Sequence, residues 1–260
     1  MVNFFRKYFI YSIFPFLLLC LASCRPSSSG KLTIAVAANL QHTIIEIEKE
    51  FEAETKIPVD VVLGSSGKLT TQIKEGAPYD VFISADMNYP ENLFKSGWSD
   101  APPKPYARGL LVLWSRKADL SKQDDLNLLL SPNIKKIAIA NPETAPYGKA
   151  AVEALKELKI YDKVKHKLVF GESISQTNQF IISQAADLGI TSKSTVIAEE
   201  LRGKEMWIDI DPALYNAITQ GMIILKHGKE SHPEESRKFY DFIASEKSKA
   251  IFLKYGYLLE

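Results

Sequence analysis

Four short stretches of this chain join small or hydroxylated residues to the start of a helical pattern. They are Ala37-Ala38-Asn39, Gly64-Ser65-Ser66-Gly67-Lys68, Asn141-Pro142-Glu143-Thr144-Ala145-Pro146-Tyr147-Gly148 and Gly171-Glu172-Ser173-Ile174-Ser175-Gln176. The chemistry open to them is hydrogen-bond donation to an anion. The first N–H groups of a helix have no intrahelical partner, and the positive end of the helix dipole favours negative charge there. Asn39, Ser66 and Tyr147 add neutral side-chain donors. Taken singly, each turn has a plainer reading: Asn39 and Ser66 are good N-caps, and Tyr147 beside Pro146 could simply cover its turn. The weight lies in four such turns, each following an apolar run.

Covalent chemistry has no comparable signature. Gly64-Ser-Ser-Gly-Lys68 is not a Gly-x-Ser-x-Gly nucleophile elbow, because Lys68 stands where the last glycine belongs. It is not a phosphate loop either, since its glycines are too close and Leu69 follows the lysine. His42, His166, His227 and His232 are scattered without metal-ligand spacing and read as surface or packing residues. Asp80 and Asp86 read as capping or pairing groups at strand ends. The sequence therefore predicts a binding protein with no catalytic residue, no cofactor and no direct cation ligand.

The elements that position these turns alternate. Leu32–Ala37, 59–63, 80–84, 137–140, 168–170 and 187–190 are short apolar runs suited to buried parallel strands. Residues 40–54 place Leu40, Ile44, Ile47 and Phe51 on one helical stripe. Further helices are expected over 69–74, 148–159, 176–184 and 234–254, the last with Phe239, Phe242, Ile243 and Phe252 inward. A longer strand over 108–115, after the proline-rich 102–105, suits a crossover, and 222–226 suits a returning strand. This order predicts an α/β protein with two mostly parallel sheets, helices on their faces and a cleft between lobes. The expected limits are 31–112 plus 222–260 for the first lobe and 113–221 for the second. Open parallel sheets bind ligands beyond the carboxyl ends of their strands, where all four turns lie.

Composition sets limits. With 32 basic against 31 acidic residues, bulk charge points to neither nucleic acid nor an acidic polymer. At the N-terminus, Arg6 and Lys7 precede a mostly apolar stretch from Tyr8 to Leu21, too short for a comfortable membrane span and suited to a signal peptide. Leu21-Ala22-Ser23-Cys24 resembles a bacterial lipobox, in which the cysteine is lipidated; ordinary secretion with Cys24 as a bystander is the alternative. Residues 1–23 are thus expected to be a leader, and Cys24 followed by 25–30 a lipid-anchored flexible tether. Loss of the leader removes Cys20 and two positive charges, leaving one cysteine, no internal disulfide and a formal charge of −1. An anion would have to be held by local geometry and not by a general positive field.

The residues also carry a family resemblance. Ala35-Val-Ala-Ala-Asn39-Leu40, Gly64-Ser-Ser-Gly-Lys-Leu69, and Gly76-Ala-Pro-Tyr-Asp-Val-Phe-Ile-Ser-Ala-Asp86 are similar to the periplasmic molybdate-binding proteins of ABC transporters. The stretches around Tyr147 and Ile174 and the closing Phe252-Leu-Lys-Tyr-Gly-Tyr257 extend it, so that it covers the chain from Lys31 onward. The resemblance implies a two-lobed periplasmic-binding-protein fold of type II and a dehydrated oxyanion, molybdate or tungstate, held by neutral donors. Carried over, Asn39, with Ala38 before it, and Ser66 would donate from one lobe through side chain and backbone. The Tyr147 N–H and hydroxyl and the Ile174 N–H would donate from the other. Some members have a serine at the Asn39 position and a further tyrosine after the Leu-Gly-Ile segment; here Leu188-Gly-Ile190 leads to Thr191-Ser192. The implied partners are a membrane permease and its ATPase, for a monomer held at the periplasm or the outer face of the cell membrane. Sulfate or another small oxyanion, or a protein partner of a surface lipoprotein, are the competing ligands.

Overall fold

The backbone alternation of β1 (Leu32–Ala37) explains the first lobe. Leu32, Ile34 and Val36 enter one apolar core and Ala35 enters another on the opposite face, so both sides of the sheet need a cover. The computed structural model describes residues 31–117, 120, 126–198 and 206–259. The leader, Cys24 and the tether lie outside these described residues, as does the membrane-anchoring expectation attached to them. Among the described residues no helix is long and apolar enough to cross a membrane.

In the first sheet β1 lies parallel to β2 (Val59–Gly64) and β3 (Val81–Ile83). On one face packs α1 (Gln41–Thr55), whose stripe of Ile44, Ile47 and Phe51 is buried. Phe51 meets Phe239 and Phe242 edge-on, at 5.0 and 5.4 Å between ring centroids. Those phenylalanines belong to a C-terminal helix pair, α9 (Pro233–Ile243) and α10 (Glu246–Lys254). The other face is covered by α2 (Ser66–Lys74), through Leu69 and Ile73, and by α3 (Asn88–Lys95), through Leu93. The order is completed by β10 (Ile218–Ile224), antiparallel to β3, and β4 (Lys104–Gly109), antiparallel to β10, giving β2-β1-β3-β10-β4.

The second sheet has the same plan. β6 (Ile137–Ala140) is parallel to β7 (Leu168–Gly171) and β8 (Leu188–Ser192), while β5 (Leu111–Ser115) is antiparallel to β8 and to β9 (Met206–Asp209). Leu111 and Leu113 face the core under α4 (Pro146–Glu157). Val112 and Trp114 face the opposite core, under α6 (Ile174–Ile182). The short helices α5 (Tyr161–Val164), α7 (Lys193–Ile197) and α8 (Lys226–Ser231) fill connections.

Several expectations are corrected. Four of the five strands in each sheet run the same way, as expected, but each sheet is mixed, because one strand of the crossing pair, β10 in the first and β5 in the second, runs against them. The single strand over 108–115 is two strands broken at Leu110: Gly109 still pairs with β10, whereas Leu111 pairs with Ser192 in the second sheet. The proline-rich stretch is not all loop. Pro105 lies inside β4, at the sheet edge and opposite a register shift between Gln220 and Gly221, where a missing N–H is tolerated. The returning strand begins at Ile218 and so includes Gln220. The final helix is interrupted before Ser245, which caps α10 by accepting from the Ser248 N–H at 3.3 Å. The sheets therefore change over a few residues from the expected lobe limits.

One turn of the second lobe hangs on a single carboxylate. Asp187 accepts from the Lys135 and Lys136 N–H groups at 2.8 and 3.0 Å and pairs with the Lys117 ammonium at 2.9 Å. Burial pushes its pKa up, but these donors outweigh that and hold it at about 2. A carboxyl whose folded pKa is depressed contributes stability above its unfolded pKa and loses it as pH falls toward the folded value. Asp187→Asn is expected to cost about 1–2 kcal/mol at neutral pH. The difference from the parent should shrink as pH falls from about 4 to 2 in paired urea titrations; a constant difference would refute this account.

Candidate functional site

All four turns meet. Ala37, Ala38, Asn39, Gly64, Ser65, Ser66 and Ala85 from the first lobe face Ala145, Pro146, Tyr147 and Ile174 from the second across one small cavity. Ala38, Asn39, Ser66, Tyr147 and Ile174 are each no more than 4% exposed, so the cleft is shut. Six bonds hold it. The Gly67 N–H donates to the Thr144 carbonyl at 2.9 Å, and the Tyr89 hydroxyl to the Glu143 carbonyl at 3.2 Å. Ser194 Oγ donates to the Asn39 carbonyl at 2.8 Å, and Gln220 Nε2 to the Tyr147 hydroxyl at 3.1 Å. Ser175 Oγ meets Gln41 Oε1, and Lys68 pairs with Glu172 at the exposed rim.

The sequence leaves N–H groups open around the cavity. At α4 the N-cap is Ala145, with no side-chain acceptor, and Pro146 has no N–H; the Tyr147 N–H is the first donor of an uncapped helix. At α6, Ser173 caps the Gln176 N–H and not that of Ile174. At α2, Ser65 caps the Lys68 N–H at 3.4 Å and not that of Ser66. The short 3₁₀ turn Ala38–Leu40 starts at Ala37, again with no capping side chain. Ser66 Oγ accepts from the Ala85 N–H at 2.9 Å, which leaves its own proton free to donate elsewhere.

The side chains of Asn39 and Tyr147 behave differently from the expectation. Asn39 Nδ2 spends both protons inside the protein, on Gln220 Oε1 and the Tyr257 hydroxyl, each at 3.0 Å. Its Oδ1 is buried with no partner. The Tyr147 hydroxyl is held by Gln220 and packs against Gly109 at the crossover, where a Cβ would stand 1.9 Å from it. Burial and the neighbouring phenols of Tyr257, Tyr106 and Tyr215 push the Tyr147 pKa well above its ordinary value, so it stays a neutral hydroxyl. Where a further tyrosine stands in some similar proteins, Thr191 Oγ1 donates to Asn178 Oδ1 at 2.6 Å. Ser192 joins a hydroxyl chain with Thr195 and Ser194 that ends on the Asn39 carbonyl.

Gln220, Tyr257, Tyr106, Ala85 and Ser194 were not singled out as site residues by their types or spacing. Gln220 is fully buried and links Asn39, Tyr147 and Tyr106, the last by a hydroxyl bond of 2.7 Å. An isolated amide in the apolar run Ile218–Ile224 is the signal that could have found it. His227 and His232, read as scattered surface or packing residues, both reach Asp80, far from the cleft. Asp86 does cap, accepting from the Tyr89 N–H at 3.2 Å.

Among the described residues no carboxylate and no cationic side chain lines the cavity. Such a site suits a fully deprotonated anion held by neutral donors, because a protonated one would find no acceptor for its proton.

Comparison with known proteins agrees. A family model described as bacterial extracellular solute-binding protein matches residues 32–258. The molybdate-binding protein ModA of Rhodobacter capsulatus is 37% identical over 90% of this chain and 91% of its own length. A Bacillus subtilis protein named as a candidate ABC transporter substrate-binding lipoprotein is 30% identical over 98% of this chain and 100% of its own. The periplasmic molybdate-binding protein of Azotobacter vinelandii superposes with a TM-score of 0.83 at 31% identity, over 88% of this chain and 100% of that one. That likeness identifies the architecture as the type II periplasmic-binding-protein fold and sets the chain among proteins that bind a solute, not among enzymes. With its two mixed sheets, its closed cleft and a match over nearly its whole folded length, the chain belongs to the family of bacterial extracellular solute-binding proteins.

Proposed function

We propose that this protein captures molybdate, and tungstate with it, in the cleft between its lobes and delivers it to the permease and ATPase of an ABC uptake transporter. It acts as a monomer tethered to the membrane through a lipid on Cys24. The observation that carries the reading is the convergence of uncapped N–H groups and the Ser66 hydroxyl on a cavity without carboxylate or cation. The relatives from Rhodobacter and Azotobacter, named for molybdate, support the choice of anion.

The buried amides supply one more donor. If Asn39 and Gln220 turn end for end together, Gln220 Nε2 donates to Asn39 Oδ1 and to Tyr106, whose proton goes to the Ser84 carbonyl. The Tyr147 hydroxyl then donates to Gln220 Oε1. The Tyr257 hydroxyl turns its proton from the Asn39 carbonyl, which keeps its bond from Ser194, to Asn39 Oδ1, and Asn39 Nδ2 takes the place of the unpartnered Oδ1. An orphan acceptor beside the cavity becomes a donor that an oxyanion satisfies.

The test is isothermal titration of residues 25–260, which contain both lobes and all their hydrophobic cores, with molybdate, tungstate, sulfate and phosphate. Tight one-to-one binding of the first two only is expected. Ser66→Ala removes one hydrogen bond to a charged ligand, so its affinity should fall about 10–100-fold. Heat from sulfate alone would keep the cleft and overturn the anion. Silence toward every anion would leave a lipoprotein that binds another protein.

A further inference from the structure

At the end of the first lobe opposite the cleft, just before β3, Asp80 is fully buried. Its Oδ2 accepts from the Thr33 N–H at 2.7 Å. Its Oδ1 faces two imidazoles, with His227 Nδ1 and His232 Nδ1 each at 2.9 Å. Among the described residues the only ion-pair partners of this carboxylate are the two histidines. A buried carboxylate needs a compensating partner, and a metal ion held by the same three side chains can supply it in place of imidazole protons.

The backbone fixes the convergence. The Leu225 N–H donates to the Asp80 carbonyl at 2.9 Å, and a Cβ on Gly228 would stand 2.4 Å from that same oxygen, so only glycine lets α8 sit this close. His227 is thereby held in the first turn of α8 and His232 at the joint between α8 and α9. The three ligand atoms lie within 4.8 Å of one another. The His227 and His232 side chains are 36% and 15% exposed, so an ion can reach them from solvent.

We infer that Asp80, His227 and His232 form a binding site for a divalent transition-metal ion of the zinc class, separate from the anion cleft. Two imidazole nitrogens and one carboxylate oxygen suit such an ion, with water completing the shell. The ion takes the place of the two Nδ1 protons, which move to Nε2 or to solvent. Metal–ligand distances of about 2.0–2.2 Å require the rings to draw back by a few tenths of an ångström. The bonds that hold the cleft shut involve none of these residues, so the site stands whether or not the anion proposal does.

Untagged protein, cleared of metal with a chelator, is titrated with zinc chloride, and cobalt(II) is added as an optical probe. One zinc per chain and cobalt bands of a mixed nitrogen–oxygen site are expected. His227→Gln and His232→Gln should each weaken zinc by more than about 100-fold, since even outer-shell partners of such sites contribute about 10–100-fold. Both variants should unfold at a somewhat lower temperature than the parent in chelator, because each removes a partner of the buried Asp80 carboxylate, and should keep the parent response to molybdate, whatever that response is. Asp80→Asn should also lose zinc, but its buried position makes the histidine variants the deciding ones. Absence of saturable zinc binding, or zinc binding unchanged in both histidine variants and lost in His42→Gln or His166→Gln, overturns the proposal.

Discussion

Gly109→Ala is expected to weaken anion capture about 10–100-fold and to destabilise the protein by about 2–4 kcal/mol. Gly109 ends β4, immediately before the chain crosses between sheets, and a methyl there would lie 1.9 Å from the Tyr147 hydroxyl, 2.7 Å from its ring carbon and 2.7 Å from Gln220 Nε2. None of these atoms can retreat easily. The Tyr147 ring is 2% exposed and rigid, and Gln220 is fully buried. The ring must move, breaking its bond to Gln220 and shifting the start of α4, whose Tyr147 N–H faces the cavity. Losing one hydrogen bond to a charged ligand accounts for the affinity, and overpacking plus a broken buried bond for the stability. Anion titration and urea unfolding of the same preparation check both numbers. Adding Tyr147→Phe, which deletes the nearest clashing atom, should recover part of the stability. A Gly109→Ala protein with parent affinity would mean that the crossover and the site are uncoupled.

Gly148→Ala should be more damaging to the fold, by about 3–5 kcal/mol. Here the obstruction is backbone: the new Cβ would stand 2.1 Å from the Ala140 carbonyl oxygen and 2.6 Å from its carbon. Ala140 ends β6, an interior strand of the second sheet, and is paired with Gly171 of β7, so it cannot yield without breaking that ladder. The first turn of α4 must lift away instead, carrying Tyr147 and Ala151 out of the core. Alanine has the higher helix propensity, worth about 1 kcal/mol in its favour. An unfolding midpoint equal to or above the parent's would show that propensity, and not close packing, governs this position.

These two glycines mark how far the sequence could be read. The apolar runs, the stripe of Ile44, Ile47 and Phe51, and the four turns with their small and hydroxylated residues were legible because each is a local pattern of period two, period 3.6 or helix start. Gly148 could be read as part of a turn, but not as the point where α4 touches Ala140, since that contact is set by how helix and sheet pack. The mixed character of the sheets was equally hidden. A buried antiparallel strand such as Leu111–Ser115 is as uniformly apolar as a parallel one, so composition does not report direction.

What the sequence determined by itself was the α/β alternation, the two lobes, and the presence of donors without charge in the turns around Asn39, Ser66, Tyr147 and Ile174. These follow from local hydrophobic periodicity and from the orphan N–H groups at helix starts. Tertiary structure alone decided that the two sheets share one strand order, although no internal repeat is visible in the residues. It decided that Asn39 and Tyr147 are tied through Gln220, 181 and 73 residues away along the chain. It also gathered Asp80, His227 and His232 at the far end of the first lobe. Each of these rests on contacts between residues remote in sequence, made when buried polar groups find partners in a packed interior, and one-dimensional spacing carries no record of that choice.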